Sequence, residues 1–381
     1  MERRTFLGGS LLAYAPASQI RLGVIGSGSR GTFVMGVFQK DPALAVGAIS
    51  DVYEPNLERA LSLAKGAKAY RDYRDLLADR TIDAVLIATP EHWHHRMILD
   101  ALAAGKDVYV EKPLCRTPQE ARELVEAEKR SKQIIQVGMQ RRSYDLYQDA
   151  RGVVAAGTLG HVRMVRSWWL NNHLNAVPAT KLDGKLDWEA WQGPAERRPF
   201  DANRFRAWRF YQDYAGGIVA DQGAHAFDGI QMILGAGFVR AVTAAALPPL
   251  RPGVDQPDCV VVSAEYPEGF LATFTVNYAA MKYQSRNDQL NQADGDKARL
   301  DIGRETFRVY PAGDEDKPIL ERKSARGFGW ATDLHVQNFL ACVRTRQRPT
   351  APMALGAQAA LVVQLANQSL REGRRIKNTT F

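Results

Sequence analysis

Over the first third of the chain, short apolar runs alternate with stretches of helical spacing. Ile20 to Ile25 and Leu44 to Ser50 are apolar runs of strand length, the pattern of strands buried on both faces. Between them Phe33, Val34, Val37 and Phe38 recur at helical spacing. Ile82 to Thr89, Val108 to Val110 and Ile134 to Val137 repeat the strand pattern, with helices predicted over Met97 to Ala104 and Pro118 to Ser131. Such alternation predicts an α/β fold built on a parallel, doubly wound sheet. From Arg141 the pattern changes. Strands are predicted at Val162 to Trp169, Val260 to Tyr266, Leu271 to Asn277, Ala298 to Ile302 and Thr306 to Tyr310. Together they indicate an α+β domain with a mostly antiparallel sheet. Helices are predicted over Ile218 to Leu234, Asp333 to Arg344 and Gly356 to Arg371. The expected domains are therefore 20–140 and 141–381, the closing helices being free to pack back on the first.

Composition narrows the class. With 381 residues the chain can hold about two domains, each with its own core. No apolar run approaches the ~20 residues needed to span a bilayer, so no membrane association is expected. The three cysteines, Cys115, Cys259 and Cys342, lie far apart without C-x-x-C spacing, which argues against a zinc site or a disulfide framework. The net charge of +8 gathers in Arg3-Arg4, Arg344 to Arg348 and Arg371 to Lys377. These read as solvated helix ends and termini, or as a surface for an acidic ligand. No basic stripe interleaves with aromatics, so nucleic acid is not an expected partner. At the N-terminus Arg3-Arg4-Thr5-Phe6-Leu7 precedes a small and apolar run with Ala13-Tyr14-Ala15 and Ala15-Pro16-Ala17. Residues 1–19 thus resemble a twin-arginine signal, which would place the mature protein in the periplasm or outside the cell; without it the location would be cytoplasmic.

The first strand ends in Gly26-Ser27-Gly28-Ser29-Arg30-Gly31 and a helix follows. Alone, G-x-G-x-x-G is a weak signal. Here Asp51 closes the next strand, which is the context of a dinucleotide-binding fingerprint. Gly26 permits the tight turn, Gly28 admits the pyrophosphate, and Gly31 allows close packing of helix on strand. A carboxylate at Asp51 accepts from the ribose hydroxyls and repels a 2′-phosphate, so NAD is expected over NADP. Arg59 stands one helical turn too far on to serve as a phosphate clamp. Thr89-Pro90 and Glu111-Lys112-Pro113 follow strand ends on the same side of the sheet, where ligands of such sheets bind.

Glu111-Lys112-Pro113, followed later by Gly216-Gly217 and Asp221-x-x-x-His225, resembles the Gfo/Idh/MocA oxidoreductases, which include glucose–fructose oxidoreductase and inositol dehydrogenase. The resemblance runs from Ile20 to about Lys377. It implies Lys112, Asp221 and His225 as catalytic residues, a cis bond before Pro113, a large open sheet in the second domain, and dimers or tetramers built through that sheet. It also implies cofactor contacts from Thr89, Pro90 and His92 or Trp93. Many relatives carry F-Y-G-T-K-G, for which the best match here is Asp294 to Ala298; the polar stretch Met281 to Ala293 before it is either a loop over the pocket or an oligomer contact.

The residue chemistry agrees with that reading. Asp221, His225 and Asp228 recur at i, i+4 and i+7 and form one polar stripe of a helix. Alone, Asp221 would read as a helix N-cap and His225 as a structural histidine bonded to it. Beside Lys112, a neutral imidazole suits proton transfer from a carbinol. Asp221 would then orient the ring, and the lysine ammonium would stabilise a developing alkoxide. Glu91-His92-Trp93-His94-His95 invites a metal reading, but those side chains do not converge as tetrahedral ligands, and no metal is expected. The expected cofactor contacts are Gly26, Gly28, Ser29, Arg30, Gly31, Asp51, Thr89, Pro90, His92, Trp93, Glu111, Lys112 and Gln140. Arg141, Tyr144, Trp168, Asn171, Trp208 and Arg209, with Asp221 and His225, are the expected substrate contacts. Core packing is the alternative for Trp168 and Trp188. The expected activity is hydride transfer between NAD and a hydroxyl of a sugar, polyol or glycoside. An exported enzyme has no NAD pool to draw on, which favours a tightly held cofactor and, as an alternative activity, glycoside cleavage by transient oxidation, elimination and re-reduction. A non-catalytic dinucleotide sensor is the third reading.

Overall fold

The computed structural model describes residues 19–172, 181–281, 289–314 and 316–381. Residues 1–18 of the expected export signal and 282–288 of the polar stretch lie outside the described residues.

The first domain runs β1 (Ile20–Ile25), α1 (Ser29–Phe38), β2 (Leu44–Ser50), α2 (Glu54–Leu63), β3 (Lys68–Tyr70), α3 (Tyr73–Ala78), β4 (Ala84–Ile87), α4 (His94–Ala103), β5 (Asp107–Val110), α5 (Pro118–Arg130) and β6 (Ile135–Val137). Its six strands lie in the order β3-β2-β1-β4-β5-β6, and every pair is parallel. Every residue of β4 and β5 is buried, which accounts for the apolar runs Ala84 to Ile87 and Val108 to Val110. The winding reverses between β1 and β4, and that reversal opens a crevice at their carboxyl ends.

The chain continues through α6 (Asp145–Ala155), β7 (Val162–Leu170), α7 (Trp188–Gln192), α8 (Ala202–Arg206) and α9 (Gly217–Leu234). Then follow β8 (Ala241–Ala246), β9 (Cys259–Glu265), β10 (Leu271–Asn277), β11 (Gln289–Gly295), β12 (Ala298–Ile302), β13 (Thr306–Pro311), β14 (Leu320–Lys323), α10 (Trp330–Thr345), α11 (Met353–Glu372) and β15 (Ile376–Lys377). Nine of these strands form one open sheet, β14-β13-β12-β11-β7-β10-β9-β8-β15. It is antiparallel except where β7 meets β10. The polar stretch before Asp294 ends in a central strand of this sheet, since β11 pairs with β7. Its inward positions Gln289 and Asn291 are buried and bond Arg141 and Ser167, so polar residues occupy core positions there. The Asp294 to Ala298 segment is the turn between β11 and β12.

α10 places Val336, Phe339 and Leu340 in the apolar core that also holds β1 and α1. α11 belongs to two cores at once: Met353, Ala357 and Ala360 pack with β4 and β5, while Leu361, Val362 and Leu365 pack with α9 and the large sheet. Arg344 and Arg346, part of the basic C-terminal excess, are paired with Asp41 and Asp107. Among the described residues no helix is long and apolar enough to cross a membrane.

Candidate active site

A cleft of about 1030 Å³ lies beyond the carboxyl ends of β1, β2 and β4. Gly26, Gly28, Ser29, Arg30, Asp51, Thr89, Pro90 and Trp93 line it from the first domain. Gly26 takes a φ of +83°, and a Cβ there would stand 2.8 Å from the Thr89 side chain. A Cβ on Gly31 would come within 2.0 Å of the Gly26 carbonyl oxygen, so only glycine lets α1 start this close to β1. At Gly28 the space is open, the nearest atom to such a Cβ being Asn56 Nδ2 at 3.9 Å. No side chain caps α1, and its first turn carries no acidic residue, so its N–H groups and dipole are available to an anion. The Asp51 carboxylate accepts from the Ser27 amide at 2.7 Å and from the Tyr53 amide at 2.9 Å. Burial pushes its pKa up, against the pull of those bonds. Arg59 does reach this loop, donating to the Ser27 carbonyl at 3.0 Å; α2 turns it back over the glycines, a folding of the chain that sequence distance hides. The residues fit a dinucleotide: an uncapped helix start, an open cradle at Gly28 and a carboxylate beside it.

The cleft has a roof. Residues 181–215, between β7 and α9, carry Trp191, Arg206, Trp208 and Arg209 over it. One edge of the roof is fastened beside Asp51. There Glu54 N–H donates to Lys185 O at 2.9 Å, Asp187 N–H to Val52 O at 3.0 Å, and Tyr53 and Leu186 form an antiparallel bridge. The other edge rests on the first domain through Trp93 Nε1, which donates to Trp191 O at 2.8 Å, and through Arg116, which donates to Asp213 O at 2.7 Å. Inside the roof Trp188 stacks on Trp191 at 4.9 Å, and Trp191, Tyr211 and Tyr214 are buried; packing is therefore the role of Trp188.

Lys112, joined to Pro113 by a cis peptide, reaches across to α9. Its Nζ donates to Asp221 Oδ1 at 2.6 Å and to the Asp221 carbonyl at 2.7 Å. Arg209, a roof residue, stands 3.6 Å from the same carboxylate oxygen and lies over the Trp208 ring, so the pair adjoins the cleft. Burial alone would raise the Asp221 carboxyl; Lys112 and Arg209 hold it well below the usual carboxylate range. Asp221 is not a cap, since α9 begins at Gly217. Nor does it bond the His225 ring. Its second oxygen takes the Gln222 amide at 2.9 Å, and among the described residues His225 is held by stacking on Trp169 at 6.3 Å. Burial, with Lys112 and Arg141 nearby, lowers the His225 pKa well below its ordinary value, so the imidazole is neutral.

Several expected contacts lie elsewhere. Tyr144 is fully buried against Tyr147 and Phe328, which makes it a core residue. Trp168 shares a cross-strand row with Leu290, Thr275 and Val261, on the face opposite Trp169. Trp169 is the residue beside the site, and a one-residue change of parity separates the two. Arg141 is buried, donating to the His225 carbonyl at 3.0 Å and to Gln289; it supports α9 from below. Asn171 follows β7, and its side chain accepts from the Asn172 amide. Asp228, the third member of the polar stripe, is buried in a pair with Arg142 at 2.5 Å. His92 is buried and turned from the cleft, its Nε2 at 3.1 Å from Trp191 O. Glu111 accepts from Arg30 at 2.8 Å, and Gln140 is buried in the turn after β6; like Lys112, Asp221 and His225, they are not among the residues that line the cleft. His94 bonds Pro113 O and Thr89 O, while His95 pairs with Glu123. The histidines of that motif diverge, and the described residues hold no group of metal-ligating side chains.

Residues 20–139 match a family described as "Oxidoreductase family, NAD-binding Rossmann fold", and residues 147–301 match the "GFO/IDH/MocA C-terminal domain". Inositol 2-dehydrogenase of Corynebacterium glutamicum strain R is 34% identical over 154 residues, 39% of this chain. The match spans 45% of that dehydrogenase, about half its length. An uncharacterized oxidoreductase of Bacillus subtilis, YrbE, is 25% identical over 93% of this chain and 95% of its own. Among solved structures, a levoglucosan dehydrogenase in complex with NADH and levoglucosan superposes with a TM-score of 0.75 at 19% identity, covering 94% of this chain and 99% of that one. An NAD-binding oxidoreductase from Klebsiella pneumoniae gives 0.75 at 21% identity with the same coverage. Both domains carry the one family's mark in its order, and the chain belongs to the GFO/IDH/MocA oxidoreductases.

Proposed function

We propose that this protein transfers hydride between NAD and a hydroxyl-bearing carbon of a sugar, polyol or glycoside. The observation that carries the reading is the Lys112–Asp221 pair at 2.6 Å, set beside the dinucleotide cleft with His225 one helical turn further on. Bound nicotinamide would supply the hydride acceptor. The chain does the rest. Lys112, held in place by Asp221, donates a hydrogen bond to the reacting hydroxyl oxygen and stabilises negative charge as it develops there. His225, neutral and stacked on Trp169, accepts the hydroxyl proton at a ring nitrogen. The roof residues Trp191, Arg206, Trp208 and Arg209 line the cleft above the Lys112–Asp221 pair. Asp51 favours NAD over NADP by repelling a 2′-phosphate.

A second reading is favoured by the roof. Because it is fastened on both flanks of the cleft, a cofactor beneath it would stay through many turnovers, and the net reaction would be redox-neutral. Cleavage of a glycoside by oxidation, elimination and re-reduction meets that requirement. We also propose export through residues 1–19, on the strength of Arg3-Arg4, and a homodimer or homotetramer through the sheet face bearing Trp168 and Val261, the latter 46% exposed. The test is to denature the purified protein and identify released nucleotide by mass, then assay polyols and aryl glycosides with and without added NAD. Net oxidation requires added NAD, whereas the redox-neutral reaction proceeds without it. Turnover by Lys112→Ala equal to that of the wild type would refute both.

A further inference from the structure

The motif Glu91-His92-Trp93 lies between the cofactor loop Thr89-Pro90 and α4, and the chemistry described above makes no use of its first residue. Glu91 is 3% exposed. Its Oε2 accepts the backbone N–H of Gly216 at 2.8 Å. Gly216 is the residue from which α9 springs. The same residue is gripped from the other side, because Asn367 of α11 donates to its carbonyl at 2.8 Å. Gln256 donates to the adjacent Ala215 carbonyl at 3.0 Å. The start of α9 is thus held by three side chains from three parts of the chain, and Glu91 alone comes from the first domain.

That placement has a consequence for the site. Asp221 lies little more than one turn beyond Gly216, and its carboxylate meets Lys112, which stands on the first domain after β5. The pair bridges the two domains, so its 2.6 Å contact depends on how α9 is registered against the Rossmann sheet. Glu91 fixes that register where α9 begins. A carboxylate is expensive to bury, and burial pushes this one up to about 7. An aliphatic residue would pack there at no such cost but would leave the Gly216 N–H without an acceptor.

We propose that Glu91 is a positioning residue, the acceptor from the first domain that registers the start of α9 and thereby sets the Asp221–Lys112 pair. The proposal rests on the oxidoreductase reading for its meaning in catalysis, but its test needs no turnover. The full-length protein as purified is labelled with a trace of acetic anhydride, and acetylation of Lys112 is measured by peptide mass against exposed Lys65. Glu91→Leu and Glu91→Asp, which removes and which withdraws the acceptor, are expected to raise the Lys112 to Lys65 ratio by roughly tenfold, the scale of one lost charge-assisted hydrogen bond. Glu91→Gln keeps an acceptor oxygen at the same reach and is expected to stay within about twofold of the wild type. Should the leucine variant not fold, the aspartate variant decides alone. A wild-type ratio in folded Glu91→Leu or Glu91→Asp overturns the proposal, as does a glutamine variant labelled as heavily as they are. A shifted ratio in a protein that oxidises no polyol or glycoside would leave the positioning role standing and remove the proposed reaction instead.

Discussion

Replacing His92 by glutamine tests whether the roof rests on a neutral imidazole. The ring is 6% exposed, meets Trp191 O at 3.1 Å, and packs among Trp93, Trp191 and Tyr214. Burial lowers its pKa to about 3. In the unfolded chain the same imidazole titrates near ~6.5. Between pH 7 and pH 5 the unfolded chain therefore gains a proton at this position and the folded protein does not. Stability contributed here falls as pH falls, and integrating over that window gives a loss of roughly 2 kcal/mol. Glutamine does not titrate. It keeps a donor for Trp191 O and gives up aromatic contacts worth about 1 kcal/mol. Urea unfolding is expected to show His92→Gln less stable than the wild type at pH 7 by about that amount. At pH 5 the order reverses, the difference having moved by roughly 2 kcal/mol. Glu91, with its raised pKa, works in the opposite direction, gaining stability as pH falls, but it is present in both proteins and cancels in the difference. Equal losses in both proteins on going to pH 5 would refute the reasoning, because the ring would then already be protonated or exposed in the folded state.

The two glycines of the fingerprint should separate binding from folding. Gly28→Ala meets open space and is expected to leave thermal stability unchanged while weakening NAD binding by roughly tenfold or more in fluorescence titration of NADH. Gly31→Ala drives a Cβ toward the Gly26 carbonyl, and calorimetry should show a loss of about 2 kcal/mol or more. Asp51→Asn removes the charge that repels a 2′-phosphate and leaves Arg59 beside the loop; the ratio of NADP to NAD dissociation constants should fall by roughly tenfold. Trp169→Ala takes away the surface on which His225 stacks, so kcat is expected to fall by about tenfold with NAD affinity unchanged.

The dinucleotide half of the site was legible because its signals are local. A strand, a glycine turn, a helix and Asp51 follow one another within 32 residues, from Ile20 to Asp51, and each constrains the next. That Lys112 and α9 meet beside the cleft was legible through the order of their motifs along the chain. What sits between the domains was not. Helical spacing placed Asp221 next to His225, yet the carboxylate spends its hydrogen bonds on Lys112, a choice made by tertiary packing. Trp168 and Trp169 are neighbours in sequence, and only the strand partner decides which one faces α9. β11 escaped notice because its core positions are filled by Gln289 and Asn291, whose buried partners no periodicity reveals. The roof carries no repeating pattern; its tryptophans and arginines read equally well as a substrate surface. Its fastening to Val52, Glu54 and Trp93 consists largely of bonds to backbone carbonyls, which leave no trace in residue identity.

α11 runs unbroken for 20 residues through two apolar cores, and it acts as a beam bolted into both halves of the molecule. Swinging the halves apart would pull side chains such as Leu361, Val362 and Leu365 from one core or Met353 from the other, at roughly 1.5–3 kcal/mol for each fully exposed. This helix therefore opposes hinged opening of the kind that admits ligands to many two-domain enzymes. The roof is held to the first domain more lightly, by a few hydrogen bonds and the Tyr53–Leu186 bridge. Of the two, the 35-residue segment 181–215 is the one that can lift without opening either core that α11 joins.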